Sequence, residues 1–178
     1  ITMNFKNTGN QVLVIGKTEG HIDQSLLARM ILDEKNGPPP EVNLFNEKNN
    51  GETILNLIEK NYIKSAHDVS LGGIITAISK MCIKGNKGVE LKIPKFLINE
   101  IEYFFAEDQG RYIIEVTSED LKNVIKILDK NSVHYDQIGK IIDKDLIINQ
   151  KTKVTIDELK SYNTNWLREY MVWFYGDE

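Results

Sequence analysis

The stretch SAHDVSLGGIITAISKM, residues 65–81, decides the fold. Residues 63–69 predict a strand, and residues 70–84 predict a helix because apolar side chains recur there with helical spacing. Gly72 and Gly73 lie where the strand passes into the helix, and they would let another backbone or a ligand approach its first turn. The stretch therefore predicts a strand-to-helix corner in a protein that contains both elements.

Polar residues beside this corner allow two interpretations. His67 and Asp68 are adjacent, and Ser70 occupies the position of a helix cap. Free N–H groups and the helix dipole favour an anion at such a turn, which offers a route to phosphate binding. However, the spaced glycines and the lysine of a P-loop are missing. Without further context we favour the alternative, in which the glycines permit close packing and His67 makes a local hydrogen bond.

Outward from this corner, strands and helices alternate along the chain. QVLVIG, residues 11–16, predicts a strand buried on both faces. Further strands are predicted at residues 63–69, 89–94, 111–116, 135–142 and 145–149. The first helix is predicted after a cap at Asp23, with an apolar stripe of Leu26, Leu27, Met30 and Ile31. The second is predicted in the second half of 42–61, because Asn49, Asn50 and Gly51 weaken the middle of that segment, and the third is predicted at 70–84. Three more helices are predicted: one through Leu97, Ile98, Ile101, Phe104 and Phe105, one after a cap at Thr117 or Ser118, and one along Trp166, Leu167, Tyr170, Met171 and Phe174. This order predicts an α/β (α+β) fold, a mixed β-sheet covered by helices.

A second polar cluster lies in FFAEDQGRY, residues 104–112. Glu107, Asp108 and Gln109 fall between a predicted helix and a predicted strand, and Gly110 and Arg111 follow them. Polar side chains at the end of a sheet can hold a ribose, an amide or a metal-bound nucleotide. A solvated turn with a locally paired arginine explains the same residues, and both interpretations remain open at this point.

Composition limits the functions to consider. The 178 residues are 41% hydrophobic, carry a net charge of −4 with interspersed signs, and offer no basic stripe for nucleic acid. No apolar run approaches the roughly 20 residues of a membrane span. Cys82 is the only cysteine, so no internal disulfide can form, and we expect a cytoplasmic protein.

Familiar catalytic and metal patterns are not evident in the sequence. The three histidines, His21, His67 and His134, are dispersed, so we do not expect a metal site. Cys82 lies on the apolar face of the predicted helix and is expected to be a small core residue. Spacing alone supports no Ser-His-Asp or Cys-His set.

Four stretches in this order resemble the phosphoribosylformylglycinamidine synthase family. They are ITMNFKNTGNQVLVIGKTEG (1–20), NGPPPEVNL (36–44), SAHDVSLGGIITAISKM (65–81) and FFAEDQGRYIIEV (104–116). The resemblance covers most of residues 1–116, and it is to the last domain of the synthetase, which is similar to the C-terminal domain of aminoimidazole ribonucleotide synthetase. It implies that residues 1–178 are a single C-terminal domain of a larger synthetase.

The resemblance also implies an activity for the parent enzyme. Such ligases convert formylglycinamide ribonucleotide and glutamine-derived ammonia to formylglycinamidine ribonucleotide, with hydrolysis of ATP and with Mg²⁺ as cofactor. The implied partners are the N-type and other C-type domains and a glutaminase domain or subunit, whereas nucleic acid and membranes are not implied. The fragment itself would be inactive, its role would be chiefly architectural, and its tail helix and any exposed Phe104 or Phe105 would dock to the missing domains.

Substrate- or nucleotide-binding candidates follow from the same motifs, and no catalytic or metal-binding residue is expected. The candidates are His67, Asp68, Ser70, Gly72, Gly73, Glu107, Asp108, Gln109 and Arg111. Two departures from the family argue against a ligand in this domain. Many relatives have an acidic residue at the position of Leu71, and they have a pair of glycines near the positions of Asp23 and Gln24. Leu71 is expected to extend the apolar face of the helix. Two alternatives remain: a C domain of a related ATP-using synthetase or kinase, and a stand-alone nucleotide-binding or scaffold domain.

Overall fold

A computed structural model describes residues 1–34, 36–93 and 99–175, with side chains through residue 172. The described residues form one seven-stranded mixed sheet with helices on both faces, which confirms the predicted fold class. The strands are β1 (Gln11–Ile15), β2 (Ile63–Asp68), β3 (Gly88–Leu91), β4 (Tyr112–Val116), β5 (Tyr135–Ile142), β6 (Leu146–Ile148) and β7 (Thr152–Val154). The helices are α1 (Leu26–Met30), α2 (Leu44–Glu59), α3 (Gly73–Gly85), α4 (Glu100–Phe105), α5 (Leu121–Lys130) and α6 (Ile156–Tyr175).

The sheet has the strand order β2-β4-β1-β5-β3-β6-β7. β3 and β6 run parallel, and the other neighbouring pairs are antiparallel. β1 lies between β4 and β5, and its side chains alternate between two hydrophobic cores. Val12 and Val14 enter one core, whereas Leu13 and Ile15 enter the other. The prediction of a strand buried on both faces is therefore confirmed.

Helices close both faces of the sheet. α3 places Ile78, Met81 and Cys82 in the first core, where α4 and the beginning of α6 also pack. α2 and α5 cover the second core with Leu57 and Leu128. Each fully buried aliphatic side chain contributes about 1.5–3 kcal/mol to the hydrophobic stabilisation of these layers. No helix among the described residues combines the length and apolarity needed to span a lipid bilayer.

The buried carboxylate of Glu115 holds the N-terminal segment, residues 1–10, against the sheet. Glu115 lies on β4 with no exposed surface. Its two oxygens accept hydrogen bonds from the backbone N–H groups of Lys6 (2.9 Å) and Asn7 (3.0 Å), from Asn10 Nδ2 (2.6 Å) and from Ser65 Oγ (2.8 Å). Four donors compensate for burying the charge, so the segment is fixed without a strand of its own.

The segment after β1 differs from the prediction. Ser25, and not Asp23, caps α1, because its hydroxyl accepts from the N–H of Ala28 at 3.1 Å. The helix is only five residues long, which is too short to present a continuous face. Met30 and Ile31 are 72% and 74% exposed, so the predicted apolar stripe does not enter the core.

α2 is longer than its sequence suggests. The helix begins at Leu44, after the cap residue Asn43, and continues through Asn49, Asn50 and Gly51. Asn50 is buried and donates from Nδ2 to the carbonyl oxygen of Gly110 at 2.9 Å. This tertiary hydrogen bond offsets the low helix propensity of the middle segment.

α3 begins three residues later than predicted. Gly72 and Gly73 have φ angles of +81° and +70°, so the chain turns before it becomes helical. Ser70 therefore does not cap the helix, and its hydroxyl donates to the Asp68 carboxylate instead. Leu71 lies in the turn and is 68% exposed, so the prediction that it extends the apolar face is wrong.

Other elements agree in part. α4 matches the second half of its prediction, whereas Leu97 and Ile98 lie outside the described residues. Before α5, Thr117 accepts from the N–H of Asp120 at 3.1 Å and so caps the turn that precedes the helix. β7 was not predicted, because its three residues show no buried alternation. The last helix is confirmed and begins earlier, at Ile156.

Candidate functional site

The two polar motifs meet at one edge of the sheet. Asp68 at the end of β2 pairs with Tyr112 at the start of β4, which in turn pairs with Ile15 at the end of β1. The segments that follow β1 and β2, and the segment 106–111 that precedes β4, therefore leave the sheet side by side. Sequence separation hides this arrangement, which follows from the antiparallel pairing of three strands.

Asp108 shapes the loop after β1. Its carboxylate accepts from three consecutive backbone N–H groups, those of Glu19, Gly20 and His21, each at 3.1 Å. Asp108 is 7% exposed. A concave run of backbone N–H groups is a typical anion-binding arrangement, and here an internal carboxylate occupies it.

The buried side chain of Arg111 stabilises the same segment through hydrogen bonds. Its side chain is fully buried and donates from Nε to the carbonyl oxygen of Asp108 (3.1 Å), from one terminal nitrogen to Thr18 Oγ1 (3.0 Å) and from the other to the carbonyl oxygen of Ala106 (2.7 Å). Its guanidinium also lies 3.7 Å from the Asp108 carboxylate. Burial lowers the pKa of Arg111, and the nearby Asp108 opposes this effect. These bonds match the local pairing that the sequence left open for this arginine.

Glu107 connects the two motifs directly. One carboxylate oxygen, Oε1, accepts from the N–H of Leu26 at the start of α1 (2.7 Å) and from the N–H of Gly72 before α3 (2.8 Å). The backbone N–H of Glu107 donates to the carbonyl oxygen of His21 at 3.0 Å. Sequence reasoning placed Glu107 and Gly72 in separate clusters, and the structure brings them into contact.

His67, Asp68 and Ser70 form a small group at the end of β2, here called the Asp68 cluster. His67 Nδ1 lies 3.1 Å from Asp68 Oδ1, and Ser70 donates to the other oxygen of Asp68. The bond from Ser70 is the main cause that lowers the pKa of Asp68. The Asp68 side chain is 63% exposed, whereas that of His67 is 15% exposed. The local bond that was favoured for His67 is present.

The glycine pair allows one backbone to approach another. A Cβ atom added at Gly73 would lie 2.6 Å from the carbonyl oxygens of both Phe104 and Ala106. Such a contact is closer than atoms tolerate, so glycine is required for the end of α4 to pack against the start of α3. The structure thus shows the close approach that one of the two interpretations expected.

A cavity of about 470 Å³ lies beside this edge. Its walls are the loop after β1, the segment that leads into α2, the first turns of α2, and the Asp108–Gln109 pair. The lining residues are Lys17, Glu19, Gly20, His21, Pro40, Glu41, Asn43, Asn46, Glu47, Asn50, Asp108 and Gln109. Among the predicted residues, Asp108 and Gln109 reach the cavity, and the Asp68 cluster is not part of its lining.

Sequence reasoning missed the contribution of α2 to this cavity. Asn43, Asn46, Glu47 and Asn50 share one side of its first two turns. The polar i, i+3, i+4, i+7 spacing was visible in the sequence and marks a polar helix face. Asparagine has a low helix propensity, so the same residues predict a weak helix and hide its polar face.

A family model and the curated relatives agree on the family of this chain. The family model described as "AIR synthase related protein, C-terminal domain" matches residues 7–149. The PurL subunit of phosphoribosylformylglycinamidine synthase from Pelagibacter ubique (strain HTCC1062) is 67% identical over 171 residues, which cover 96% of this chain and 23% of that protein. The chain thus spans about a quarter of the length of this curated relative.

Solved structures share the fold at much lower identity. T. maritima PurL complexed with FGAR is 18% identical with a TM-score of 0.75, covering 89% of this chain and 29% of that chain. T. maritima PurL complexed with ATP is also 18% identical, with a TM-score of 0.68 and coverage of 89% and 27%. At this identity the likeness establishes the fold.

Proposed function

The chain belongs to the family of the AIR synthase related protein C-terminal domain, and from this membership we propose that it is a C-terminal domain of a phosphoribosylformylglycinamidine synthase. The parent enzyme would convert formylglycinamide ribonucleotide and glutamine-derived ammonia to formylglycinamidine ribonucleotide, with hydrolysis of ATP, in purine biosynthesis. The observation that carries the proposal is the likeness to the Pelagibacter ubique PurL subunit along nearly the whole of this chain.

The charges that line this cavity do not favour a nucleotide. Four carboxylates, those of Glu19, Glu41, Glu47 and Asp108, line the cavity with a single lysine, Lys17. Their charge would repel phosphates rather than attract them. Five backbone N–H groups at this edge, those of Glu19, Gly20, His21, Leu26 and Gly72, already bond to Asp108 or Glu107. Binding of ATP in the parent would therefore require further groups.

The same holds for Mg²⁺, which the family implies as a cofactor. Magnesium prefers several oxygen ligands around one position, usually carboxylates together with substrate phosphates. Within residues 1–34, 36–93 and 99–175, no three His, Cys, Asp or Glu side chains are grouped so that they could hold a metal ion. Asp68 is an exposed carboxylate at the site, and alone it provides one ligand. We therefore derive no reaction step through a metal held by this chain.

Exposed apolar surface is consistent with contacts to the rest of such a synthetase. On α6, Trp166, Leu167 and Met171 are between 45% and 59% exposed, and on α2 Leu44 and Phe45 are each 77% exposed. Phe104 was expected to dock to other domains only if it were exposed. It is buried against Tyr103, so it is not a docking residue. Partner domains and a glutaminase subunit remain part of the proposal.

A chimera tests the proposed role. The corresponding segment of the Pelagibacter ubique PurL subunit is replaced by this chain, and growth of a purine auxotroph that lacks its own synthetase is measured without purines. We expect growth. The matched negative control is the same chimera with Gly73→Val, which would place a branched side chain against the carbonyl oxygens of Phe104 and Ala106. A chimera that accumulates in folded form and supports no growth would contradict the proposal.

Calorimetry tests whether the chain binds ligand alone. The folded chain is titrated with ATP and Mg²⁺, with and without formylglycinamide ribonucleotide. We expect no saturable heat, because the four carboxylates that line the cavity would repel the phosphates. Saturable binding that disappears in Asp68→Ala would show that the domain holds a ligand site of its own and would overturn the architectural role.

A further inference from the structure

We propose that Glu107 is a positioning residue that couples the start of α1 to the turn that carries the Asp68 cluster. The inference rests on the proposed function, because it gives this edge of the sheet a role in a larger active site. It goes further by assigning to Glu107 the relative placement of two segments that are 46 residues apart, those of Leu26 and Gly72.

The geometry that supports this role is a single shared acceptor. Both the Leu26 N–H, at 2.7 Å, and the Gly72 N–H, at 2.8 Å, donate to the same oxygen of Glu107. Hydrogen bonds to a charged acceptor are stronger than those between neutral groups. Because one atom serves both donors, movement of one segment changes the bond to the other.

The position of Glu107 is fixed from its own backbone. Its N–H donates to the carbonyl oxygen of His21, and the next residue, Asp108, holds the N–H groups of the same loop. The Glu107 side chain therefore extends from a hydrogen-bonded backbone toward the two N–H groups that it accepts from. Gly72 lies two residues after Ser70, so the bond from its N–H to Glu107 fixes the end of the turn whose Ser70 hydroxyl donates to Asp68.

A functional consequence follows for the parent enzyme. The loop after β1 lines the cavity, whereas the Asp68 cluster does not. A ligand that displaces α1 or the loop after β1 would also change the position of Gly72, because Glu107 bonds to both segments. The loop after β1 and the turn at Gly72 would then be coupled. Asp108 cannot provide this link, because its three bonds all go to one loop.

Amide hydrogen exchange, measured by NMR on the 178-residue chain, tests the coupling without any ligand. Four proteins are compared: the unmodified chain, Ser25→Ala, Glu107→Ala and the double variant. Ser25→Ala removes the cap of α1 and should raise the exchange rate at Leu26 about fivefold. If Glu107 couples the segments, the same substitution raises the exchange rate at Gly72 in the unmodified background and leaves it unchanged in the Glu107→Ala background.

The outcomes separate positioning from general stability. Exchange at the core residue Val14 reports global unfolding, and all rates are compared with it. Glu107→Gln keeps an oxygen at the shared position, so it should retain the response of Gly72 to Ser25→Ala even if Glu107→Ala does not fold. An unchanged Gly72 rate in Ser25→Ala alone, or an equal response with and without Glu107, would overturn the proposal. Neither result depends on the growth of the chimera, so failure of the proposed function would be seen separately.

Discussion

Replacement of Asp108 by asparagine should destabilise the chain strongly, although the side chain keeps nearly the same size. Both carboxylate oxygens are in use: one accepts from Glu19 and Gly20, and the other accepts from His21. In either orientation, an asparagine would direct its own NH₂ group at a backbone N–H. The substitution also removes the negative charge that lies 3.7 Å from the buried guanidinium of Arg111.

The magnitude follows from these losses. Removing one partner of a buried charged pair costs about 3–5 kcal/mol, and the lower end applies because the side-chain volume is retained. A loss of about 3 kcal/mol lowers the melting temperature of a chain of this length by about 6–12 °C. Urea unfolding and a thermal melt, both followed by circular dichroism, would measure the change.

Two controls isolate the cause. Glu107→Gln should cost about 1 kcal/mol or less, since its bonds use one oxygen that glutamine retains. Glu52→Gln removes an exposed carboxylate with a weak contact to Lys48 at 3.7 Å, and should change stability by about 0.5 kcal/mol or less. If Asp108→Asn proved as mild as Glu52→Gln, the view that Asp108 organises the loop would be refuted.

Three further predictions test other features of the fold. Gly73→Ala should cost about 3 kcal/mol in urea unfolding, and Gly9→Ala about 1 kcal/mol, because both have positive φ but only Gly73 meets backbone atoms; equal losses would argue against the close contact. Burial raises the pKa of the Cys82 thiol to about 12, so Ellman's reagent should label the native chain only as it opens; rapid stoichiometric labelling at pH 8 would contradict this. Glu115→Gln should cost about 2–3 kcal/mol and speed amide exchange at Lys6 or at Asn7, because its NH₂ group replaces the oxygen that accepts from one of them; unchanged exchange at both would show that the N-terminal segment is held by other contacts.

The parts of the fold that could be predicted are those with a local periodic signal. In β1, Val12 to Ile15 are all apolar, which indicates burial on both faces, and the structure places this strand in the interior of the sheet, between β4 and β5. The start of α3 could not be predicted from spacing alone, because the apolar period continues through Leu71. Because Gly72 and Gly73 both have positive φ angles, the helix does not extend back to Leu71, and the Leu71 side chain is exposed to solvent.

The candidate site was predicted as two separate motifs, and the contact between them could not be. The bond from Gly72 to Glu107 spans 35 residues, and the bonds from the loop after β1 to Asp108 span 87 to 89. Bonds between a side chain and a distant backbone leave no periodic trace in a sequence. Only the strand pairing that aligns Ile15, Tyr112 and Asp68 makes them possible.

Three carboxylates have the same structural role, and this role limits what they can do in catalysis. They are those of Glu107, Asp108 and Glu115. Each lies in or beside the EDQGR segment and β4, and each directs its carboxylate to backbone N–H groups of another segment. A carboxylate that accepts two or more such bonds is a poor candidate for a general base, because those bonds occupy its lone pairs. Among the exposed members of the two motifs, Asp68 accepts hydrogen bonds within its own cluster, and Gln109 lines the cavity. If this chain contributes to a reaction in a larger synthetase, substitutions at these two positions should alter turnover without altering the stability of the fold.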